Sequence, residues 1–520
     1  MTNNLAARTR EIALTLTAWP SVTGSADEAA FAARLADYLQ GFDEVWTAAI
    51  PGDAAGRGNV FALKRGKGRR SIVLTGHFDT VPRDDYGDLY SLALCPEELR
   101  PAIIARLELS GEHPLALADL KSGDFLPGRG LLDMKAGLAA GIAVIESYRG
   151  EANLLFIAVA DEEDRSAGAR AAVPLIPKIA KDHGLDIELI INLDAIADQG
   201  VGRFGQSAAF GSIGKYLLCA YVTGKESHAC YPFSGVNAAY LAAELVAEFE
   251  CAPELAEITG PEIAAPPTIL QMRDLKQGYN VTTPGHVWIY WNVLSHRREP
   301  GEILRIAREL AGRAVTRARA RLDERRAVTG RPENSETWSN VQIMDFEELI
   351  GLLRGTPVFE EKFLAYKASQ AGEHKVDFPT RSKVLFETAH ADSGLHGPVI
   401  IFGFASIPYQ PVTCTARLRD IVMGAIENAG FPVGAIQYFP GISDMSFFGQ
   451  GPGGLEEAEK NTPIWGASFN LDGSPGYPCI NIGPWGRDYH HWLERLHAPY
   501  AFETLPMVLL AVIEAVFKRG

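Results

Sequence analysis

The chain has 520 residues and a mass of 56.4 kDa, enough for two or three domains, and its 47% hydrophobic and 22% charged residues are typical of globular proteins. A net charge of −15 argues against nucleic acids and anionic membranes as partners, because both would repel it. The N-terminus has no basic segment followed by an apolar one, and we identify no apolar stretch of the ~18 residues that a membrane span needs. We therefore expect a cytoplasmic protein in which the six scattered cysteines are reduced.

The first informative element is a short apolar run, Ser71–Leu74, which Thr75-Gly76 ends before His77 and Asp79. Such a run predicts a buried parallel strand, and chemistry in open α/β sheets collects beyond the carboxyl ends of these strands. His77 is a candidate metal ligand whose second ring nitrogen Asp79 would orient. Taken alone, His77 and Asp79 fit a polar strand end with a capped turn better than they fit a metal site.

Residues 83–128 form a long irregular insertion, for which a flap, an oligomer contact and a surface loop all stay open. The segment Gly128–Gly137 follows and places Asp133 between glycines at the entrance of an apolar helix, Leu138–Tyr148. This Asp would face a helix N-terminus, which favours its ionised form. The alternative role is a simple helix cap.

Two further strands also end in acidic residues. Asn153–Val159 leads into four consecutive acids, 161–164, and Glu188–Leu193 ends at Asp194. Adjacent carboxylates repel one another and raise each other's pKa, so a bound cation would relieve them, although a solvated acidic loop is an alternative. Three carboxylate-bearing turns after the His77 strand are an improbable coincidence and predict a metal site.

The pattern changes at about residue 210 to the order β-α-β-β-α-β of a split βαβ sandwich. We place this inserted domain at 210–346, between two parts of one α/β domain at 1–209 and 347–520. Its second helix, Gly301–Arg326, has many arginines, but acidic residues interleave with them and favour a solvated helix over a nucleic-acid surface. The last loop carries His490, His491 and His497, and the adjacent pair favours a surface or packing role.

Together, the segments GHFDTVP, GLLDMKAG, ADEED, NLDA and GKESHA, with a His in the last loop, resemble the M20 family of metallohydrolases. That family includes aminoacylases, dipeptidases and succinyl-diaminopimelate desuccinylase. The length, the YNVTTPG segment and the long loop after His77 resemble its arginine-utilisation subgroup. The resemblance implies a three-layer α/β/α catalytic domain of the zinc-exopeptidase type with an inserted ferredoxin-like lid and dimerisation domain.

The resemblance also implies two zinc ions, which Mn or Co could replace. The implied ligands are His77 and Asp194 for one ion, Glu163 and His497 for the other, and Asp133 as the bridge. Asp79 would hold His77. Glu162 would be the general base for a water activated by the two metals, which implies hydrolysis of an amide or peptide bond.

In the lid, His228 matches a residue that reaches the partner subunit's active site in a homodimer, and Asn280 matches a substrate-binding residue. Many relatives have a D-x-R motif that grips a free carboxylate, but Asn292 and Leu294 stand there in this chain. Arg297 or Arg298 in a shifted register is the alternative for the arginine of this motif. The expected substrate is an N-acyl amino acid or short peptide, related to arginine by the subgroup resemblance. The alternatives are single-metal chemistry and a non-catalytic metal- or ligand-binding regulatory protein on the same fold.

Overall fold

The computed structural model describes the whole chain except residues 1, 199, 201–203, 260–261, 331–337, 339, 371–375, 472–475 and 519–520. The chain forms two compact units. The first comprises 1–212, 412–451 and 472–520, and the second comprises 213–411 and 452–471. The predicted boundary at 346 is therefore wrong, because residues 347–411 and 452–471 belong with the inserted unit.

The first unit is built on an eight-stranded mixed sheet. Its central strands are mostly apolar and almost entirely buried, as expected of strands covered on both faces. The strand that ends at His77 lies between the other two strands whose acidic ends the sequence identified. In spatial order the strands are Glu44–Ala49, Gly58–Lys64, Asn153–Val159, Arg70–His77, Asp186–Asn192, Cys479–Asn481, Ser207–Ala209 and Gly434–Ile436.

Helices complete this α/β unit. The helix Ala136–Ser147 is apolar on every side and has ten buried residues, because it packs under the sheet and against the first and last helices. The helices of the unit are Thr2–Thr17, Ala26–Tyr38, Pro96–Ser110, Pro114–Ser122, Ala136–Ser147, Ala167–Ala172, Ile176–His183, Ala416–Asn428, Met445–Phe448 and Leu505–Lys518.

The terminal helix corrects one expectation. Tyr500–Lys518 is long and apolar enough, by length and composition, to cross a membrane. However, 56% of the apolar 18-residue stretch within this segment is buried in the structure. The helix Leu505–Lys518 packs on Ala416–Asn428 and Ala136–Ser147. Core helices pass the same test, so this single helix is weak evidence for a span.

A four-stranded sheet joins distant parts of the first unit. Its strand order is Phe125–Pro127, Arg495–His497, Trp485–Arg487 and Ile196–Ala197. The end of the 83–128 insertion is therefore hydrogen-bonded to the last loop, the loop that carries the three histidines.

The second unit contains a five-stranded sheet with two long helices, Ala238–Phe249 and Pro300–Thr329. Its strands, in spatial order, are Thr268–Asp274, His286–Ser295, Gly214–Thr223, Val399–Phe404 and Gln342–Asp345. Val399–Phe404 pairs antiparallel with Gly214–Thr223 and so takes the position expected for the fourth strand of the split βαβ motif. Gln342–Asp345 is added outside it as a parallel edge strand.

Shorter helices follow this edge strand: Phe346–Leu353, Leu364–Ser369, Phe378–Asp392 and Leu455–Lys460. The arginines of the long helix pair with acids of its neighbours. Arg317 and Arg321 both bind Glu244, and Arg308 binds Glu348. These contacts fit the prediction of a charged surface helix.

Candidate metal centre

Three neighbouring parallel strands deliver side chains to one edge of the main sheet. In the strand register His77 pairs with Val159, and Thr75 pairs with Asn192. Glu162 and Asp194 follow those paired strands by a few residues, so their side chains converge with His77. The Glu162 Oε2 and Asp194 Oδ1 atoms lie 3.9 Å and 3.8 Å from His77 Nε2. The local apolar runs thus position this part of the site.

Asp133 lies at the centre of the cluster. It belongs to the turn Leu131–Lys135, which Gly130 enters with φ of 72°. One carboxylate oxygen of Asp133 lies 3.1 Å from His77 Nε2, and the other lies 3.3 Å from His490 Nε2. The carboxylate therefore lies between two imidazoles that come from opposite ends of the chain.

A close approach behind this turn requires glycine. A Cβ atom on Gly137 would lie 2.1 Å from the carbonyl oxygen of Leu193. Any other residue would push the start of the helix Ala136–Ser147 away from the segment that carries Asp194. The glycine that the sequence places after Asp133 is thus needed to bring the two metal-site segments together.

The four acids at 161–164 have different partners. Asp161 pairs with Arg57, and Asp164 pairs with Arg165. Glu162 faces His77, whereas Glu163 Oε2 lies 3.0 Å from His490 Nε2. The acidic run is therefore neither one cation site nor a uniformly solvated loop, and its two glutamates have different imidazole neighbours.

Asp79 is buried beneath this acidic turn. Its carboxylate oxygens accept the backbone N–H groups of Glu162 at 3.0 Å and Glu163 at 3.2 Å. His77 Nδ1 lies 3.1 Å from the backbone carbonyl of Asp79 and 3.5 Å from its carboxylate. Asp79 thus contacts His77 as predicted, but it also fixes the backbone of both glutamates.

The structure places His490, rather than His497, against Glu163. The His497 ring packs between Phe125, with ring centroids 5.1 Å apart, and Trp485, 4.7 Å apart. His497 Nδ1 accepts the N–H of Tyr500, and burial lowers the pKa of the ring. The assignment of His497 as a ligand is therefore wrong. His490 lies at the surface as expected, with its side chain 43% exposed, but it also contacts Asp133 and Glu163, which the sequence did not predict.

Asp194 is held through its backbone. Its N–H donates to Asn481 Oδ1 at 3.0 Å, and Asn481 Nδ2 donates to the Asp194 carbonyl at 2.9 Å. Asn481 is buried at the end of the neighbouring strand. Asn481 was not predicted, because nothing in its local segment marks it as different from other polar strand ends.

The electrostatics of the cluster favour protonated Asp194 and Glu162 and a charged His490. Asp133 behaves differently, because burial raises its pKa but the contacts with His490 and His77 more than offset this and lower it. Burial raises the pKa of Asp194 to about 8, and the charge of Asp133 adds to the effect. Burial also raises the pKa of Glu162 well above its ordinary value. Burial lowers the pKa of His490, but Asp133 and Glu163 more than offset this and raise it to about 10.

A further carboxylate near the cluster was missed. Asp444 is 2% exposed, and burial raises its pKa to about 7. Its charge raises the pKa of both Glu162 and Asp194, so it belongs to the same electrostatic cluster. The segment Gly441–Asp444 reads only as a polar turn in the sequence.

The two lid residues predicted for substrate chemistry lie on paired segments of the second unit. The backbones of His228 and Thr282 bridge antiparallel, which brings the His228 and Asn280 segments together. Both side chains are exposed, and their hydrogen bonds are local. His228 Nδ1 accepts the N–H of Cys230, and Asn280 Oδ1 accepts from the N–H and hydroxyl of Thr282.

The donor set fits divalent metal ions. Among the described residues, one group of His, Cys, Asp and Glu side chains meets the geometry of a metal site, and its members are His77, Asp133 and Glu163, with donor atoms within 4.8 Å of one another. Several buried carboxylates with raised pKa values repel one another until a cation neutralises them. Imidazole with carboxylate oxygen is a donor combination that zinc accepts, and manganese favours the carboxylates.

The model of the peptidase family M20/M25/M40 matches residues 73–456. The chain belongs to this family. It is therefore an M20-type metallopeptidase or amidohydrolase, and the resemblance proposed from the motifs is confirmed. The fold class of an α/β catalytic domain with an added lid is confirmed as well.

Similar proteins extend the comparison. The chain is 31% identical to the uncharacterized protein YqjN of Bacillus subtilis, covering 97% of this chain and 95% of that one. It is 26% identical to protein RocB of the same organism over 97% and 94% of the two chains. A succinyl-diaminopimelate desuccinylase from Nitratiruptor is 24% identical over 54% of this chain and 67% of its own.

Among solved structures, a tripeptidase from Staphylococcus aureus aligns with a TM-score of 0.54 at 15% identity, over 99% of each chain. The aminopeptidase PepT from Bacillus cereus aligns with a TM-score of 0.52 at 15% identity, over 98% of this chain and 99% of its own. At this identity the likeness establishes the M20 fold and leaves the substrate open.

Proposed function

We propose that this M20 enzyme hydrolyses the amide or peptide bond of a small amino-acid-derived substrate, with two divalent metal ions, expected to be zinc, bound in the cluster around Asp133. One observation carries the proposal. The Asp133 carboxylate has one oxygen on His77 and the other on His490, and a second carboxylate is available beside each imidazole.

His77 and Asp194 would hold one ion, Glu163 and His490 the other, and Asp133 both. When bound, such ions would supply a Lewis acid for the scissile carbonyl and lower the pKa of a water molecule. The protein's contribution is a rigid set of donors. Asp79 fixes the Glu162–Glu163 backbone, and Asn481 fixes the backbone of Asp194.

Glu162 is the proposed general base. Its side chain lies in the cluster, but it does not share the His490 contact that Glu163 makes. Its raised pKa makes it a better proton acceptor than an ordinary carboxylate, so it can take a proton from the attacking water and return it to the leaving amine. Both proton transfers would use the same carboxyl group.

His228 and Asn280 are proposed to complete the site from the lid, with His228 donating to the oxyanion in the partner subunit of a homodimer. Two features support this. His228 is exposed rather than consumed by packing. The outermost strand of the lid sheet, Thr268–Asp274, also exposes Leu270 and Met272 among polar side chains, and an exposed edge strand of this kind can pair with a second copy.

The proposed substrate class is an N-acyl amino acid or a short peptide, with an arginine-related compound as the narrower choice. The match to YqjN and RocB over nearly the full length, insertions included, supports placement in the subgroup that the sequence suggested. Asn292 and Leu294 lie on the strand His286–Ser295 where relatives carry D-x-R, which argues against the usual grip on a free carboxylate.

The test is hydrolysis of a panel of N-acyl amino acids and dipeptides, with arginine and neutral members matched in size. Cleavage should be lost with a chelator and restored by zinc. Cleavage that survives complete metal removal would contradict the metal-dependent mechanism. Equal rates for arginine and neutral members would contradict the narrower substrate proposal.

A further inference from the structure

The backbone beside Asp133 is held by a buried glutamate. Glu494 Oε1 accepts the N–H of Leu132 at 3.2 Å and the N–H of Asp133 at 3.4 Å. Glu494 is 1% exposed, so these bonds form away from competing water. It lies four residues after His490 in the same loop, and one short segment therefore contacts Asp133 from two sides.

Glu494 is itself held by a buried arginine. Arg129 Nη1 donates to Glu494 Oε2 at 2.9 Å, and both side chains are 1% exposed. Arg129 Nη2 donates to both carboxylate oxygens of Asp85, at 2.8 Å and 2.9 Å. A buried charge that loses its partner is costly, so Glu494 depends on Arg129, and Arg129 depends on Asp85.

The three charged residues Asp85, Arg129 and Glu494 come from distant parts of the chain. Asp85 lies near the start of the 83–128 insertion, Arg129 follows its end, and Glu494 belongs to the last loop. The guanidinium of Arg129 also lies over the ring of Tyr86, 5.3 Å from its centroid, which fixes its direction. The insertion is thus tied to the turn that presents the central carboxylate of the metal cluster.

We infer that Asp85, Arg129 and Glu494 form a positioning chain that orients the Asp133 carboxylate between the two metal positions, and that this is one function of the 83–128 insertion. The inference rests on the metal-binding part of the proposed function, and it concerns affinity for metal rather than the choice of substrate. None of the three residues needs to touch a metal or the substrate. They act through the backbone of Leu132 and Asp133.

The experiment measures the zinc dissociation constant of the full-length protein by competition with a chromophoric chelator. Supporting contacts to metal ligands are worth roughly 10- to 100-fold in metal affinity, so Glu494→Ala should weaken zinc binding by about that factor. Glu494→Gln keeps an oxygen for the two N–H groups and should recover part of the loss. Asp85→Asn should have a smaller effect, because Arg129 can still hold Glu494.

The double variant separates positioning from general damage. Asp85→Asn is introduced into both the wild-type protein and the Glu494→Gln variant. If Asp85 acts only through Arg129 and Glu494, the substitution should weaken zinc binding less in the variant than in the wild type. Glu146→Gln is the matched control. It disrupts the Arg8–Glu146 pair in the same unit, should lower thermal stability, and should leave zinc affinity unchanged.

Wild-type zinc affinity in Asp85→Asn and Glu494→Gln would overturn the inference, and so would an equal loss in Glu146→Gln. Asp85→Asn keeps the test valid if Glu494→Ala fails to fold, since the Asp85 side chain is 34% exposed. Zinc affinity is measured without substrate. A protein that shows the graded zinc effects but cleaves nothing would therefore contradict the proposed function and leave the positioning chain intact.

Discussion

The metal cluster and the paired lid segments show two different ways of carrying functional residues. Around Asp133 the side chains contact one another and are buried or half-buried, apart from the exposed His490. The backbone N–H groups of this region donate to the side chains of Asp79, Asn481 and Glu494, which fixes the segments that carry the cluster. His228 and Asn280 are exposed, and their contacts stay within their own segments. The first region is assembled by folding alone, whereas the second is available for contacts that folding does not supply.

Substitutions in the two regions should therefore have different effects. A change in the cluster should alter metal binding or the chemical step within a single subunit. A change in the paired lid segments should leave metal binding alone and affect only turnover.

Glu162→Gln should lower turnover by about 10²- to 10⁴-fold, the usual contribution of a positioned general base, because an amide cannot accept the proton. Two metal ions per chain should remain by elemental analysis, since Glu162 is not among the proposed ligands. Turnover near the wild-type rate would remove Glu162 from this role. Loss of metal would instead make it a ligand.

His228→Ala should lower kcat by about 10²- to 10³-fold if the ring supplies an oxyanion donor, with zinc affinity unchanged. Val328→Ala, at an 84% exposed position on the long lid helix, is the control and should keep full turnover.

The role of His228 in the partner subunit has its own test. Mixing His228→Ala with Glu162→Gln chains should restore turnover, because one site of each mixed dimer then has both intact residues. No recovery in verified mixed dimers would place His228 in its own subunit's site.

His490→Ala should weaken binding of one of the two metal ions by at least about 10-fold, whereas His497→Ala should leave both affinities near wild type. The reason is that His490 contacts Glu163 and Asp133, while His497 packs on Phe125 and Trp485. Isothermal titration with zinc measures both sites. The reverse ranking would restore the assignment made from the sequence.

The metal-free protein should lose stability as pH rises from 4 to 8. The pKa of Asp194 is raised from 3.8 to about 8, so the folded state keeps a proton that the unfolded state has released, and the stabilisation disappears through this window. The pKa of His490 is raised from 6.5 to about 10, so this residue also loses its stabilising contribution as pH rises above 6.5. The carboxylates with lowered pKa values, Asp79 and Asp133, lose their contribution only below about pH 4.

In a calorimeter, the midpoint of thermal unfolding should therefore be roughly 5 °C lower at pH 8 than at pH 5 without metal. Zinc should reverse the trend, because ligation favours deprotonated carboxylates. Asp194→Asn, which has no proton to lose, should flatten the dependence. A metal-free midpoint that rises with pH would contradict the proposed electrostatics.

Much of the cluster could be predicted because it depends on local pattern. His77, Glu163 and Asp194 each follow an apolar run that forms a central strand, and parallel strands bring such ends together. The role given to each residue, as ligand or base, stays a prediction until metal binding and turnover are measured.

His490 escaped prediction for a conformational reason. It adopts a positive φ of 61°, and Asp488 two residues earlier has φ of 53°, although neither is a glycine. Nothing in the local sequence announces such a backbone, so two adjacent histidines look equivalent. The sequence does contain one feature that distinguishes His490 from His497. Glu494 follows His490 by four residues, whereas no acidic residue stands so close after His497.

The lid boundary was missed because strand pairing is a long-range property. Both Gln342–Asp345 and Val399–Phe404 have strand composition, but only the second pairs with Gly214–Thr223, about 180 residues earlier in the chain. The apolar pattern indicates a strand and does not select its neighbour.

That pairing limits how the lid can be exchanged between relatives. A graft of 210–346 would divide the sheet through its interior and leave the polar backbone of Gly214–Thr223 open along one side. A functional transplant would have to include 213–411 together with 452–471, and because each of these two segments has two ends, it would need four junctions with the recipient. Variation in the lid of this lineage is therefore expected to arise by small changes within it rather than by replacement of the whole.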